Sequence, residues 1–182
     1  MKKIKGSLFK AWAIAIRANK TGIYDDLISE EDKQVISQRI LDAAWYPFDT
    51  FKRCIIAVCK VEARGNLRII EKWSYDYGKT MIERTYNSPM NKKDLNMALN
   101  SYNRLFNLWF NFGRQYGEII SENEIHVIID DFDKDFEVFY NSAKGWMASF
   151  FEMYLSTRVT TSFIEKSWNG ANKTSIKITW NS

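Results

Sequence analysis

One histidine, two cysteines and an alternating run of aspartates are the residues whose types could do chemistry here. Asp131-Phe132-Asp133-Lys134-Asp135 sets carboxylates at alternate positions, as a calcium loop begins, since each can turn an oxygen toward one cation. The rest of that loop is missing. Its sixth position is Phe136, where the sharp turn needs glycine, and its twelfth is Ser142, where a bidentate glutamate is needed. The run reads as an acidic turn between a strand and a helix. His126 would have to serve any Ser-His-Asp arrangement, and no Gly-x-Ser-x-Gly elbow accompanies it. Zinc wants three or four N, S or O donors, and there is no second histidine. A strand histidine with a structural hydrogen bond is the simpler reading. Cys54 and Cys59, five apart on a predicted helix, point roughly 140° away from each other and cannot pair within it. They fit a packed helix in a reducing compartment. Neither a Gly-rich dinucleotide fingerprint nor a P-loop is present.

What remains is collective. Aromatic residues make up 15% of the chain and recur at helical spacing. Trp73 and Tyr77 fall on one predicted helix, Tyr102, Phe106 and Trp109 on the next, and Trp146 with Phe150 on the last. Residue by residue, such rings are core. Together they describe an apolar wall, with tyrosine hydroxyls as its few polar tips. Trp73, Tyr77, Tyr102, Phe106, Trp109 and Trp146 are the expected lining of a pocket between helices and sheet.

Composition bounds the alternatives. The 182 residues are 46% hydrophobic and 26% charged, a globular balance with enough chain for one domain and a real core. Lysine and arginine total 26 against 22 acids, for a net charge of +4. That mild, mixed balance does not argue for nucleic acid. Lys2, Lys3 and Lys5 make a basic start, but the apolar run after it, Ala11 to Ile16, is short and is broken by Arg17. No stretch approaches the ~20 apolar residues of a membrane span. A cytoplasmic protein is expected.

The elements follow from the hydrophobic period. Helices are predicted over 6–20, from Ser29 through Leu41 behind an acidic first turn, and from Pro47 to 63. A fourth runs from Gly65-Asn66 to about 86, its stripe traced by Leu67, Ile70, Trp73, Tyr77 and Met81, and Ser88-Pro89 breaks it. A fifth covers about 93–110. Near Gly113 the period becomes two. Strands are predicted over 116–121 and 124–131, with Ile125, Val127 and Ile129 sharing a face. A helix over 139–156 follows, then strands over 158–168 and 174–180 around Asn169-Gly170. The fold class is α+β: an N-terminal helical block (about 1–112), then a small four-stranded antiparallel sheet with one intervening helix (about 113–182), in a single domain.

This order of elements resembles the ligand-binding fold shared by haem-NO-binding (H-NOX) domains, 4-vinyl-reductase-type domains and TRAPP vesicle-transport subunits. The start Ile4-Lys5-Gly6-Ser7-Leu8-Phe9-Lys10-Ala11-Trp12 is similar to an H-NOX opening. Trp45-Tyr46-Pro47-Phe48 and the ending Ser175-Ile176-Lys177-Ile178-Thr179-Trp180 resemble an uncharacterised myxobacterial-type family. The resemblance implies a hydrophobic ligand or a protein contact. It also implies, for H-NOX domains, an iron-ligating histidine on the helix before the sheet and a Tyr-x-Ser-x-Arg motif for the haem propionates. The helix over 93–110 has no histidine, and the motif has only a partial counterpart in Tyr140-Asn141-Ser142-Ala143-Lys144. The expectation is a non-enzymatic sensor or carrier domain for a small hydrophobic molecule, haem-independent and without a cofactor. The alternative is a self-associating or protein-binding scaffold module with a filled core, marked by an exposed apolar patch around Trp168 and Trp180.

Overall fold

The computed structural model describes residues 1–85 and 94–181, so the expected break at Ser88-Pro89 lies outside the described residues. The chain divides into two compact units, 1–67 with 108–112 and 68–107 with 113–182.

In the first unit, β1 (Lys3–Lys5) pairs antiparallel with β2 (Trp45–Pro47), Ile4 opposite Tyr46. Three-residue strands are too short to show alternation, and the sequence signals neither. α1 (Gly6–Ala18) follows β1 without a break. A Cβ on Gly6 would overlap the Leu41 carbonyl, so only glycine allows this approach. α3 (Phe48–Val61) opens after Pro47, as the fixed proline φ favours. Its Phe51 meets Phe9 of α1 edge-on at 6.3 Å. α2 (Glu30–Ser37) ends four residues short of the predicted Leu41. The Leu41 N–H is taken by the Tyr46 hydroxyl at 2.9 Å, and Asp42 gives its carbonyl to Ser7 N at 3.1 Å. Those bonds hold 38–44 as a connection instead of a helix.

α2 starts with a full capping box, Ser29 and Asp32 each accepting the other's backbone N–H. Asp32 is wholly buried, and Arg53 of α3 grips it through Nε at 2.6 Å and Nη2 at 2.8 Å. Burial alone would raise the carboxyl pKa. The hydrogen bonds from Arg53, Thr50 and Ser29 outweigh it and hold the group at about 2.

The second unit is built on α6 (Glu137–Leu155), with α4 (Leu67–Thr85, joining this unit from Arg68), α5 (Leu95–Trp109, up to Asn107) and a four-stranded antiparallel sheet. The strands are β3 (Arg114–Ser121), β4 (Glu124–Asp130), β5 (Val159–Glu165) and β6 (Thr174–Trp180), in the order β3-β4-β6-β5. Ile125 opposes Ile178 and Val127 opposes Ile176, all four fully buried, so the predicted apolar face of β4 is the core face.

α4 departs from its predicted stripe. The buried positions are Ile70, Ser74, Gly78 and Ile82, spaced by four, while Trp73 and Tyr77 are 39% and 38% exposed. The reason is a close helix crossing. A Cβ on Gly145 of α6 would overlap the Glu71 carbonyl oxygen, and one on Gly78 would overlap Ser149 Oγ. Ser74 Oγ and Ser142 Oγ lie 2.7 Å apart across the contact. Lys144 Nζ reaches Glu71 at 3.0 Å. The absent side chain at Gly78 leaves room for the one Trp146 ring of α6, and the α4 rings Trp73 and Tyr77 stand beside the crossing.

Two outcomes follow. Gly145→Ala should lower stability by about 2–3 kcal/mol, as overpacking against rigid backbone does, and Gly78→Ala by less, because the Ser149 hydroxyl can swing away; urea unfolding reads both. Because the Asp32 pKa is depressed on folding, its contribution is complete above the unfolded value of 3.8 and is lost as the pH falls toward 2. Unfolding midpoints across that window should fall more gently for Asp32→Asn than for the parent.

Candidate functional site

α5 brings Leu99, Tyr102 and Phe106 to its buried face, at the 3,4 spacing of an amphipathic helix. Leu99 packs under β3 at Gly117, where a Cβ would overlap its methyl groups. This missing side chain lets the helix lie close on the sheet edge. The Tyr102 ring centre is 5.0 Å from Phe150 and 5.6 Å from Phe151. Phe106 meets Phe132 at 5.7 Å, and Phe132 meets Phe139 at 4.9 Å. A second ring series runs from Tyr140, stacked on Trp168 at 5.2 Å, to Phe163, edge-on to Trp168 at 5.0 Å. Apart from the Tyr140–Trp168 stack, these are the tilted and edge-on geometries that aromatic quadrupoles favour.

The polar tips in this wall are neutral donors. Burial drives the Tyr102 hydroxyl far above the ordinary tyrosine range, so it stays protonated. The Tyr140 hydroxyl donates to the Asp133 carbonyl at 2.8 Å. At the C-terminal end of α6, Glu152 accepts the Tyr75 hydroxyl and, at 3.2 Å, the Val159 N–H. The hydrogen bond to Glu152, with burial, pushes the Tyr75 phenol up to about 12.

Of the six residues expected to line a pocket, Tyr102, Phe106 and Trp146 are buried in the second unit. Trp73 and Tyr77 belong to that unit but stand half exposed on α4. Trp109 is half-buried and belongs to the first unit. Phe132 and Phe139 are ring neighbours that sequence reasoning missed. Phe132 lies inside the aspartate run, where the carboxylates carried the more obvious signal.

The other candidates are structural. His126 Nε2 lies 2.7 Å from Glu124 Oε1, and the register sets His126 between Glu118 and Lys177 on neighbouring strands. Arg114 holds Asp130 and Asp131 at 2.9 Å each, and Asp133 accepts the Asp135 N–H at 3.2 Å. The aspartate run thus closes its own turn. Among the described residues no cluster of three His, Cys, Asp or Glu is placed to hold a metal ion. Cys54 and Cys59 are buried free thiols, and burial, with Asp32 nearby, pushes Cys54 up to about 12, away from nucleophilic use. No described helix is long and apolar enough to cross a membrane.

No protein-family model and no curated protein matches the chain. Solved structures do. An H-NOX protein from S. oneidensis in the Fe(II)NO ligation state is 11% identical with a TM-score of 0.62, over 98% of this chain and all (100%) of that one. An oxygen-binding H-NOX domain related to soluble guanylate cyclases is 14% identical with a TM-score of 0.61, covering 98% and 96%. A mutant of the T. tengcongensis H-NOX is 12% identical with a TM-score of 0.59, covering 98% of each chain.

The chain has an H-NOX-like fold.

Within that fold α5 is the helix before the sheet, and it carries no histidine; the sole histidine sits on β4. Phe106 is buried, and Phe106→Ala should cost about 3–4 kcal/mol of unfolding free energy, read by urea unfolding. His126→Gln should cost about 1 kcal/mol or less, since its partner Glu124 is itself partly solvated.

Proposed function

We propose that the chain is a non-enzymatic sensor or carrier domain that holds a small hydrophobic molecule against Tyr102, Phe106 and Trp146, without haem. The observation that carries this reading is the pairing of an H-NOX-like fold over nearly the whole chain with a ring-walled α5 that has no histidine. The donors present do not suit iron in that fold. His126 stands on a strand with Glu124 as its partner, and Cys54 is held as a thiol by burial. An apolar ligand suits the wall better. Dispersion against the rings would give affinity, and the protonated Tyr102 hydroxyl would orient one acceptor atom. Trp73 and Tyr77, partly exposed on α4, have no part in the proposal.

A second reading has one observation of its own. On β3, an edge strand, Tyr116, Ile119 and Ile120 are 37%, 41% and 51% exposed. An apolar sheet edge is a surface for a second chain. Trp168 and Trp180, expected to mark such a patch, are both half-buried.

Absorbance and native mass spectrometry of the chain as purified test the first reading, with displacement of a fluorescent fatty acid as a further readout. The expected result is no Soret band, an extra small-molecule mass or displaceable probe, and loss of it in Phe106→Ala. One haem per chain overturns the haem-independent reading. A colourless sample with no extra mass and no probe binding overturns the ligand reading and, if it is also dimeric by light scattering, favours the second.

A further inference from the structure

After α1 ends at Ala18, the chain turns through Gly22 before entering α2. The end of α1, this turn and α2 flank an open groove of about 200 Å³ in the first unit. Its floor is apolar. Ile16, Ile28 and Ile36 line it, each buried to more than nine-tenths. Tyr24 adds a ring whose hydroxyl is already committed, donating to Glu62 Oε1 at 2.8 Å. The ring is therefore a fixed wall and offers no free polar tip.

The rim has the opposite character. Arg17, Lys20 and Lys33 stand there against one acid, Asp25. Lys33 lies 3.2 Å from Asp25 and 2.7 Å from Glu30, so those charges offset one another. Lys20 is exposed and forms no ion pair among the described residues. Arg17 gives one N–H to the Gln38 carbonyl at 3.0 Å, and the rest of its five-donor fork is uncommitted to any carboxylate among the described residues. Two cations thus overlook an apolar floor. An apolar cavity of about 150 Å³ is enough to take benzene, so this groove is the right size for one ring with a polar substituent.

We propose that this groove binds a small monocyclic aromatic carboxylate, ring on the isoleucine floor and carboxylate toward Lys20 and Arg17. The proposal rests on no feature of the second unit, so it stands or falls apart from the reading above. The charge at the rim supplies the choice of ligand: a neutral ring would gain the floor alone, and a bare carboxylate the rim alone.

Methyl NMR of the intact chain titrated with benzoate, benzyl alcohol and acetate tests it. Benzoate should give saturable shifts at the Ile16, Ile28 and Ile36 methyls, bind more tightly than benzyl alcohol, and outcompete acetate. Lys20→Gln, an exposed substitution that leaves the floor intact, should weaken benzoate by about three- to tenfold and leave benzyl alcohol unchanged. Arg17→Gln should act in the same direction. Equal binding of benzoate and benzyl alcohol overturns the carboxylate half of the proposal. Equal binding of acetate and benzoate overturns the ring half. If neither substitution changes benzoate affinity and both lower the unfolding midpoint, the two cations only offset the C-terminal end of α1, and the proposal fails. Absence of saturable shifts at the three isoleucines overturns it entirely.

Discussion

The backbone of α6 lies on the backbone of α4 at Gly145, and the second unit is arranged around that contact. Only a residue without a Cβ can sit against the Glu71 carbonyl. Where Gly78 faces α6, Ser149 Oγ and the Trp146 ring take the space that a side chain would need, and Ser74 meets Ser142 across the same contact. Around this narrow seam the longer side chains are polar links: Lys144 to Glu71 on one side, Tyr75 to Glu152 on the other. Apart from Trp146, which lies on Gly78, the rings of α6 turn away from this contact. Phe150 and Phe151 meet Tyr102, and Tyr140 meets Trp168. The aromatic wall is thus a consequence of the glycine contact as much as of the rings themselves.

That wall sets what the unit can do. It is apolar, its donors are neutral, and its phenols are kept protonated by burial. The two thiols are buried in the first unit, and the histidine is tied to Glu124 on β4. A surface of this kind gains free energy by excluding water and by dispersion, which selects by shape and size.

Much of this was legible from the residues. Helices α1, α3, α5 and α6 and all four strands of the larger sheet fall where the hydrophobic period puts them, and the alternation of Ile125, Val127 and Ile129 gives the core face of β4. The fold resemblance to H-NOX domains was visible in the order of elements; the structural neighbours bear out that fold, and nothing in them points to the other named families. What the residues hid has physical causes. β1 and β2 are too short to have a period. The α2 boundary depends on a hydroxyl from Tyr46, a partner with no local signal. The error on α4 is the most instructive: hydrophobicity put Trp73 and Tyr77 inside, whereas the crossing is governed by side-chain size and selects Ser74 and Gly78. Phe132 was masked by the aspartates on either side of it.

The central claim is that the wall of Tyr102, Phe106 and Trp146 accepts an apolar guest. Xenon tests it most directly, since it binds apolar cavities by dispersion alone and needs no knowledge of the natural ligand. Under xenon pressure, NMR of the folded chain should show saturable shifts at Leu99, Phe106 and Trp146. Shifts confined to other parts of the chain, or none at these three residues at saturating pressure, would contradict the account and leave a core filled by its own rings.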